Sequence, residues 1–362
     1  AICATHAHLD HVGAIPFLAS KFDCDVHASP FTIALLKTLI KDHRTKLSNK
    51  LIAHGLHERF KISDKIEIEF LNMPHSTPQT LTIAIHTPYG TVLYANEFKF
   101  DDTPTLGEGP SREQMKNMQV KVAIVESLYA PYSGKCPSEQ EAQKMLEKLM
   151  VEMHHEGHAI VITTFASHIA RLKSIIELSK KINRKPVLIG RSLSKYVTAA
   201  QDIGIIDFSD VEMVRFGSKV KRFFSKIKNS EEYVFIVTGH QGEPRAVLSR
   251  MVKDGFFHFD IQDKVIFSCQ VIPTRANIEN REKLEESLKE KDVTIYSDIH
   301  TSGHARQGDY KELITLTKPE VVIPTHGNKE MEQAFQDYLV DELKYDRDKV
   351  PILRNFEEFE IE

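Results

Sequence analysis

The chain has no tryptophan, only four cysteines, and a net charge of −4 over 362 residues. Each shortage narrows the field. Cys3, Cys24, Cys136 and Cys269 are scattered without C-x-x-C spacing, which excludes a disulfide framework and a cysteine-built zinc site and fits buried thiols in a reducing compartment such as the cytoplasm. No apolar run approaches the ~18 residues of a membrane span, and no signal-peptide pattern is present. The acidic balance shows no field built for nucleic acid, although basic residues lining one groove serve that purpose in an acidic protein. An apolar fraction of 41% with 27% charged residues is that of a globular protein long enough for two domains. The one excess is in histidine, with 18 residues, many placed where strands end. Composition therefore leans toward a metalloenzyme.

Histidines are densest in Thr5-His6-Ala7-His8-Leu9-Asp10-His11-Val12-Gly13-Ala14-Ile15-Pro16. Four side chains able to bind a transition metal, His6, His8, Asp10 and His11, fall within six positions. The apolar stretch ahead of them ends a buried strand, and the small residues after them start a helix, so the ligands sit on a strand-to-helix loop. Imidazole and carboxylate together suit zinc, manganese or iron, and the tight spacing can serve two ions. His6 and His8 face the same way in an extended segment. The plainer alternative is a solvated polar loop, but imidazoles and acids seldom bunch between apolar runs without a cation to share.

Further along, residues 17–60 look helical with connecting loops, with Ser29-Pro30 as a start signal. Strict alternation over Lys65–Leu71 gives a strand with one wet face, running into His75. Leu81–His86 and Val92–Ala95 form a hairpin that leads to Asn96-Glu97-Phe98-Lys99-Phe100-Asp101, and Val122–Val125 delivers Glu126 to a strand end. A helix opens at Ser138-Glu139-Gln140-Glu141 and runs to about Met153. The β-rich runs Ala159–Thr164, Pro186–Gly190, Tyr233–Val237 and Lys264–Ser268 alternate with helical stretches, as in an open parallel sheet. Segments 1–131 and 292–362 then form one domain, with 132–291 inserted as a second α/β domain. The first domain resumes in a strand over Asp292–Ile299, and a closing strand is expected from Asp348. Strand ends thus carry His6 to His11, His75, Glu97, Glu126, His304 and His326, the pattern of one site gathered on one side of a sheet.

These strings resemble known ones. His6-x-His8-x-Asp10-His11 resembles the H-x-H-x-D-H signature of the metallo-β-lactamase superfamily. The longer T-H-x-H-x-D-H-x-G-A-I-P, the S-G-H-A at Ser302–Ala305, the P-T-H-G at Pro324–Gly327 and the T-G-x-Q-G-E-P at Thr238–Pro244 are similar to the ribonuclease J family of the β-CASP branch, as is Thr163-Thr164-Phe165-Ala166-Ser167. The match runs from Thr5 to Gly327, and nothing resembles the further C-terminal domain many members carry.

The resemblance implies an α/β fold: a metallo-β-lactamase αββα sandwich, some strands of which would precede Ala1, with an inserted β-CASP α/β domain. It implies two divalent metal ions per chain, zinc or alternatively manganese. His6, His8 and His75 would hold the first, Asp10, His11 and His326 the second. A carboxylate bridges them where the family has Asp, and alignment on F-K-F-D places Glu97 there, with Asn96 as the fallback ligand. Glu126 and His304, with Asp10, would be catalytic. His300, Ser302 and Gly303 would supply phosphate-binding donors, and His240, Gln241 and Ser268, beside Cys269 and Gln270, would line a 5′-monophosphate pocket. The implied activity is 5′→3′ exoribonuclease cleavage of single-stranded 5′-monophosphate RNA, with endonuclease cutting in addition, by a homodimer. Another β-CASP nuclease (mRNA 3′-end processing or DNA-directed), a small-molecule hydrolase, and an RNA-binding scaffold with an impaired metal site are the competing readings. Two features match no motif. His154, His155 and His158 look like surface histidines, and the basic, aromatic run Lys219–Lys228 is either a solvated helix face or a contact for an RNA backbone.

Overall fold

The computed structural model describes residues 1–116, 118–152, 157–215 and 217–361. The chain divides into two units, one of residues 1–138 and 302–362, the other of residues 139–301.

The first unit holds two sheets. β1 (Ile2–Ala4), β2 (Val26–Ala28) and β3 (Leu51–Ala53) are parallel neighbours. β4 (Arg59–Lys61), β5 (Glu67–Asn72), β6 (Leu81–Thr87), β7 (Gly90–Ala95) and β8 (Val120–Glu126) form the second sheet with Val321–Thr325 at its edge beside β8. Two short strands and the start of a third therefore lie within 17–60, where helices with connecting loops were expected; at three residues each they are too short to show a two-residue period. The helix that is present there, Pro30–His43, starts at the predicted Ser29-Pro30. β5 and β6 pair from Glu67↔His86 to Asn72↔Leu81, and β6 and β7 close the expected hairpin.

Alternation in β5 sends Ile68 and Phe70 into a small cluster with Leu81 and Ile83, and Leu71 into the larger core with Leu93, Phe98 and Phe100. The wet face of this strand is thus limited to Glu67 and Glu69, which pair with Arg59 and His86. Phe98 and Phe100 are buried in that core, while Lys99 and Asp101 between and after them form a buried ion pair of 3.2 Å. No strand follows Asp348 among the described residues. Pro351 cannot donate to a ladder, and the side chains from Asn355 to Glu360 are exposed.

The second unit is one parallel sheet. Its strands are β9 (Ile160–Thr163), β10 (Lys185–Ile189), β11 (Glu212–Val214), β12 (Tyr233–Val237), β13 (Lys264–Phe267) and β14 (Thr294–Tyr296), in the spatial order β11-β10-β12-β9-β13-β14. Val161, Val187, Phe235 and Val265 pack into one core, and their neighbours Ile160, Leu188, Ile236 and Ile266 are equally buried, so helices cover both faces. β14 was expected to begin the return to the first domain. It pairs instead with β13, from Lys264↔Thr294 to Ile266↔Tyr296, because that register continues the parallel ladder. In the run 219–228, Phe223 and Phe224 turn into the core while Lys219, Lys221 and Arg222 stay on the outside. His158 is half-buried; His154 and His155 lie outside the described residues.

One polar centre ties this unit together. Arg171 is 0% exposed, and its guanidinium donates to both carboxylate oxygens of Glu139 (2.6 and 2.9 Å), to the carbonyl and hydroxyl of Ser268 (3.0 and 2.8 Å) and to the carbonyl of Ile299 (3.2 Å). Burial works against the charge of Glu139, but His168 and Arg171 hold its carboxyl well below the usual carboxylate range. Glu139→Gln leaves a buried guanidinium without its anion and should destabilise the protein by about 3–5 kcal/mol, read as a lower thermal midpoint. A carboxyl depressed in the folded state contributes stability that is complete above its unfolded pKa of about 4.3 and declines as pH falls below it. The gap between wild type and variant should therefore narrow below that pH; a gap constant down to pH 3 would place the stabilisation elsewhere.

Candidate metal centre

Seven side chains of the first unit converge on one another. His6 and His8 leave the end of β1, where the backbone stays extended as far as His8 and then turns into the short helix Leu9–Val12, which carries Asp10 and His11. His75 follows β5, Glu97 follows β7, and His326 follows Val321–Thr325 in the left-handed region at φ 52°. Glu97 is the common partner. One oxygen lies 3.2 Å from His6 Nε2, 3.7 Å from His8 Nδ1 and 3.1 Å from His75 Nε2; the other lies 2.6 Å from His11 Nε2 and 3.4 Å from His326 Nε2.

Three groups with metal-ligand spacing result: His6, His8, His75 and Glu97; Asp10, His11 and Glu97; Glu97, His304 and His326. The first brings together His6, His8 and His75, the three expected around one ion, with Glu97 beside them. For the second ion, His326 groups with His304, and its ring lies 6.4 Å from that of His11. Asp10, with 73% of its side chain exposed, lies 3.5 Å from His11.

Electrostatics suit a cation. Burial pushes His6 down to about 3 and lowers His8 as well, so both imidazoles are neutral and keep a lone pair for a metal. Burial also opposes the charge of Glu97, but hydrogen bonds from His11, His6, His75 and His8 keep its carboxyl far below the usual range. His11 is raised: burial pulls it down, and Glu97 more than compensates. A donor set of imidazoles around a shared carboxylate fits zinc or manganese.

The outer contacts fix the rings. His75 Nδ1 donates to the carbonyl of Gly303 at 2.8 Å, which leaves Nε2 facing Glu97; His6 Nδ1 lies 3.0 Å from the Thr5 hydroxyl. Gly303 is required by this approach, since a Cβ there would lie 2.7 Å from His75 Nδ1. Gly303→Ala should turn the His75 ring and weaken metal affinity about 10- to 100-fold, measured by competition with a chelating dye. Unchanged affinity would mean that His75 is not held through this bond.

Beside the carboxylate lies a second pair. Glu126 at the end of β8 is 0% exposed, so it is no exposed strand end. One of its oxygens accepts from the backbone N–H of Phe98 (2.9 Å) and Ala305 (3.1 Å), the other from His304 Nδ1 (2.7 Å). Burial lowers the His304 pKa, but the carboxylate of Glu126, with Glu97 and Asp10, outweighs it and the net shift is upward. His304 stacks on His326 at 5.7 Å and meets Tyr129 at 5.8 Å; no motif pointed to Tyr129. Asp309 was also missed. It accepts from the backbone N–H of Phe100, Cys136 and Arg306 and thereby ties the Glu97 loop to the segment after His304.

Of the phosphate-binding candidates, Ser302 and Gly303 sit in this unit, with the Ser302 hydroxyl accepting from the His304 N–H. His300, His240, Gln241 and Ser268 belong to the second unit. Ser268 is buried against Arg171 and Ile299, and the Gln241 amide is used by Gln270 and Ile272, so both side chains serve the interior. His240 lines a cavity described below.

A histidine-rich loop, a shared carboxylate and a two-sheet unit define a metallo-hydrolase of the metallo-β-lactamase class, and the metallo-beta-lactamase superfamily model matches residues 1–152. The model for the Ribonuclease J beta-CASP domain matches 157–285, and that for the Zn-dependent metallo-hydrolase RNA specificity domain matches 293–350. Ribonuclease J of Pyrococcus abyssi is 37% identical over 94% of this chain and 77% of its own length; that of Methanocaldococcus jannaschii is 36% identical over 98% and 81%. A protein of unknown function from Enterococcus faecalis V583 shares the fold at TM-score 0.62 and 16% identity, over 91% of this chain and 76% of its own. The chain belongs to the ribonuclease J family.

Proposed function

We propose that the chain is a two-metal ribonuclease that cleaves RNA from the 5′ end, preferring a 5′-monophosphate, with internal cutting as a secondary activity. The observation that carries this reading is the convergence of His6, His8, His11, His75 and His326 on the two oxygens of Glu97 beside the Glu126–His304 pair. Its homodimeric state and cytoplasmic setting belong to the same reading; the chain has four free cysteines, and among the described residues no helix is long and apolar enough to cross a membrane.

His6, His8 and His75 would hold one ion, Asp10, His11 and His326 the other, with Glu97 facing both. Bound divalent cations would supply Lewis acidity and a water of lowered pKa. The side chains do the rest. Asp10, the most exposed of the set, orients the attacking water. His304 donates through Nδ1 to Glu126, which leaves Nε2 to pass a proton to the departing 3′ oxygen. Water joins phosphorus as the P–O3′ bond breaks, giving a nucleoside 5′-monophosphate and a new 5′-phosphate end. Ser302 and Gly303 offer hydroxyl and amide donors to the phosphate.

Incubation with internally labelled 5′-monophosphate RNA and manganese or zinc should release mononucleotides, and a chelator should stop it. Fragments of mixed length would make internal cutting the main activity. Equal cleavage of DNA would favour a DNA-directed β-CASP nuclease. RNA bound but uncut, with less than one metal ion per chain, would leave a scaffold.

A further inference from the structure

The second unit contains a cavity of about 530 Å³ that the activity above does not use. It lies wholly within that unit, at the carboxyl ends of β10 and β12. From β10 the chain turns outward to β11, and from β12 it crosses the other way to β13. Adjacent strands whose connections diverge leave a crevice, and in open α/β sheets that crevice is where ligands bind.

The walls are chemically lopsided. Arg191, Arg215, Arg245 and Arg250 line the cavity against a single carboxylate, Glu243, which is occupied by the N–H of Gln241 at 3.0 Å. Arg250 pairs with Asp254 at 3.1 Å, whereas Arg191 and Arg245 have no ion-pair partner among the described residues. Helices Arg191–Asp202 and Val247–Asp254 begin at the cavity, and neither is capped by a side chain, so their first N–H groups add positive potential. His240 supplies a separate sign of a missing ligand. It is more than nine-tenths buried, it lines the cavity, and its Nδ1 meets no hydrogen-bond partner among the described residues. A buried polar atom left unpaired is unfavourable, and a ligand that pairs with it would relieve that cost. Gly239, at φ 120°, brings the β12 turn so close that a Cβ would lie 3.0 Å from that of Leu248. Phe256 adds one aromatic surface beneath Arg250.

We propose that this crevice between β10 and β12 binds the phosphate of a nucleoside phosphate, with Arg191 and Arg245 pairing to it and His240 completing the contact. A cavity of this size holds a mononucleotide, and forked guanidinium donors match phosphate oxygens. Two sources share that chemistry: a free nucleotide and an internal phosphate of an RNA strand.

The test is calorimetric titration of the metal-loaded full chain with AMP and, separately, with a phosphorothioate-linked RNA oligonucleotide lacking terminal phosphates. Turnover plays no part, so the outcome stands apart from the ribonuclease reading. Arg191→Ala/Arg245→Ala, at two exposed positions, should weaken one of these ligands about 10- to 100-fold. His240→Phe, which keeps the buried ring and removes its nitrogens, should weaken the same ligand. A loss confined to AMP identifies a free nucleotide, and a loss confined to the oligonucleotide identifies a strand phosphate. If both ligands bind the double variant as they bind the wild type, or neither binds the wild type, the proposal falls.

Discussion

His304→Ala should slow RNA cleavage by about 100- to 10,000-fold, the range for removing one general acid, with the metal content of the protein unchanged. The expectation follows from where the ring's bonds go. Nδ1 is committed to Glu126, whose two oxygens are filled by His304 and by the N–H groups of Phe98 and Ala305. The imidazole is thus positioned from behind, with Nε2 the atom left to meet substrate. Glu126→Gln should act through the same ring, because an amide that presents its nitrogen to Nδ1 reverses the bond and with it the tautomer. Its loss should fall mainly on kcat. Metal analysis decides between roles, since His304 also lies in a ligand-spaced group with Glu97 and His326. If His304→Ala loses an ion along with activity, it is a ligand and the proton must come from elsewhere.

Glu97→Ala has the larger expected effect: bound metal should fall to one ion or fewer per chain and cleavage to background. Among the described residues, this carboxylate is the one that lies within 3.7 Å of His6, His8, His11, His75 and His326 alike. Without it, two sets of imidazoles face each other with no shared anion to offset the charge of two cations. Glu97→Asp sharpens the question, because the family has Asp at this place. The backbone here already brings the longer side chain into contact with both halves of the centre. Shortening it by one methylene, about 1.5 Å, should withdraw the carboxylate and weaken the second ion first. Full stoichiometry and activity in Glu97→Asp would show that the loop adapts and that the extra methylene is neutral.

The candidate centre was legible because the residues that form it are marked locally. His6, His8, Asp10 and His11 lie together in sequence, and the others each follow a strand, so the topology needed only to bring strand ends side by side. The central strands of the second unit were legible because continuous apolar runs have one home, a sheet covered on both faces. What stayed hidden depends on contacts far apart in sequence. Nothing in Ser302-Gly303-His304 announces that a Cβ at Gly303 would strike His75. Glu139 looked like part of a helix start, and its role as the anion for Arg171 appears only when Arg171, Ser268 and Ile299 surround it. β14 went to the wrong sheet because an isolated apolar triplet carries no address; only the register with β13 supplies one. Strands of three residues, as in β2 to β4, fall below the length at which alternation can be seen.

The pairing of β8 with Val321–Thr325 joins residues on either side of the whole second unit. During translation, the hairpin β6–β7 has its partners within a few residues, and the second unit is complete before its neighbour's last strand has been made. His304 and His326 leave the ribosome after all of this. A growing polypeptide therefore lacks the imidazoles of His304 and His326 until the second unit has been made, so the candidate metal centre can close only after its neighbouring unit is complete.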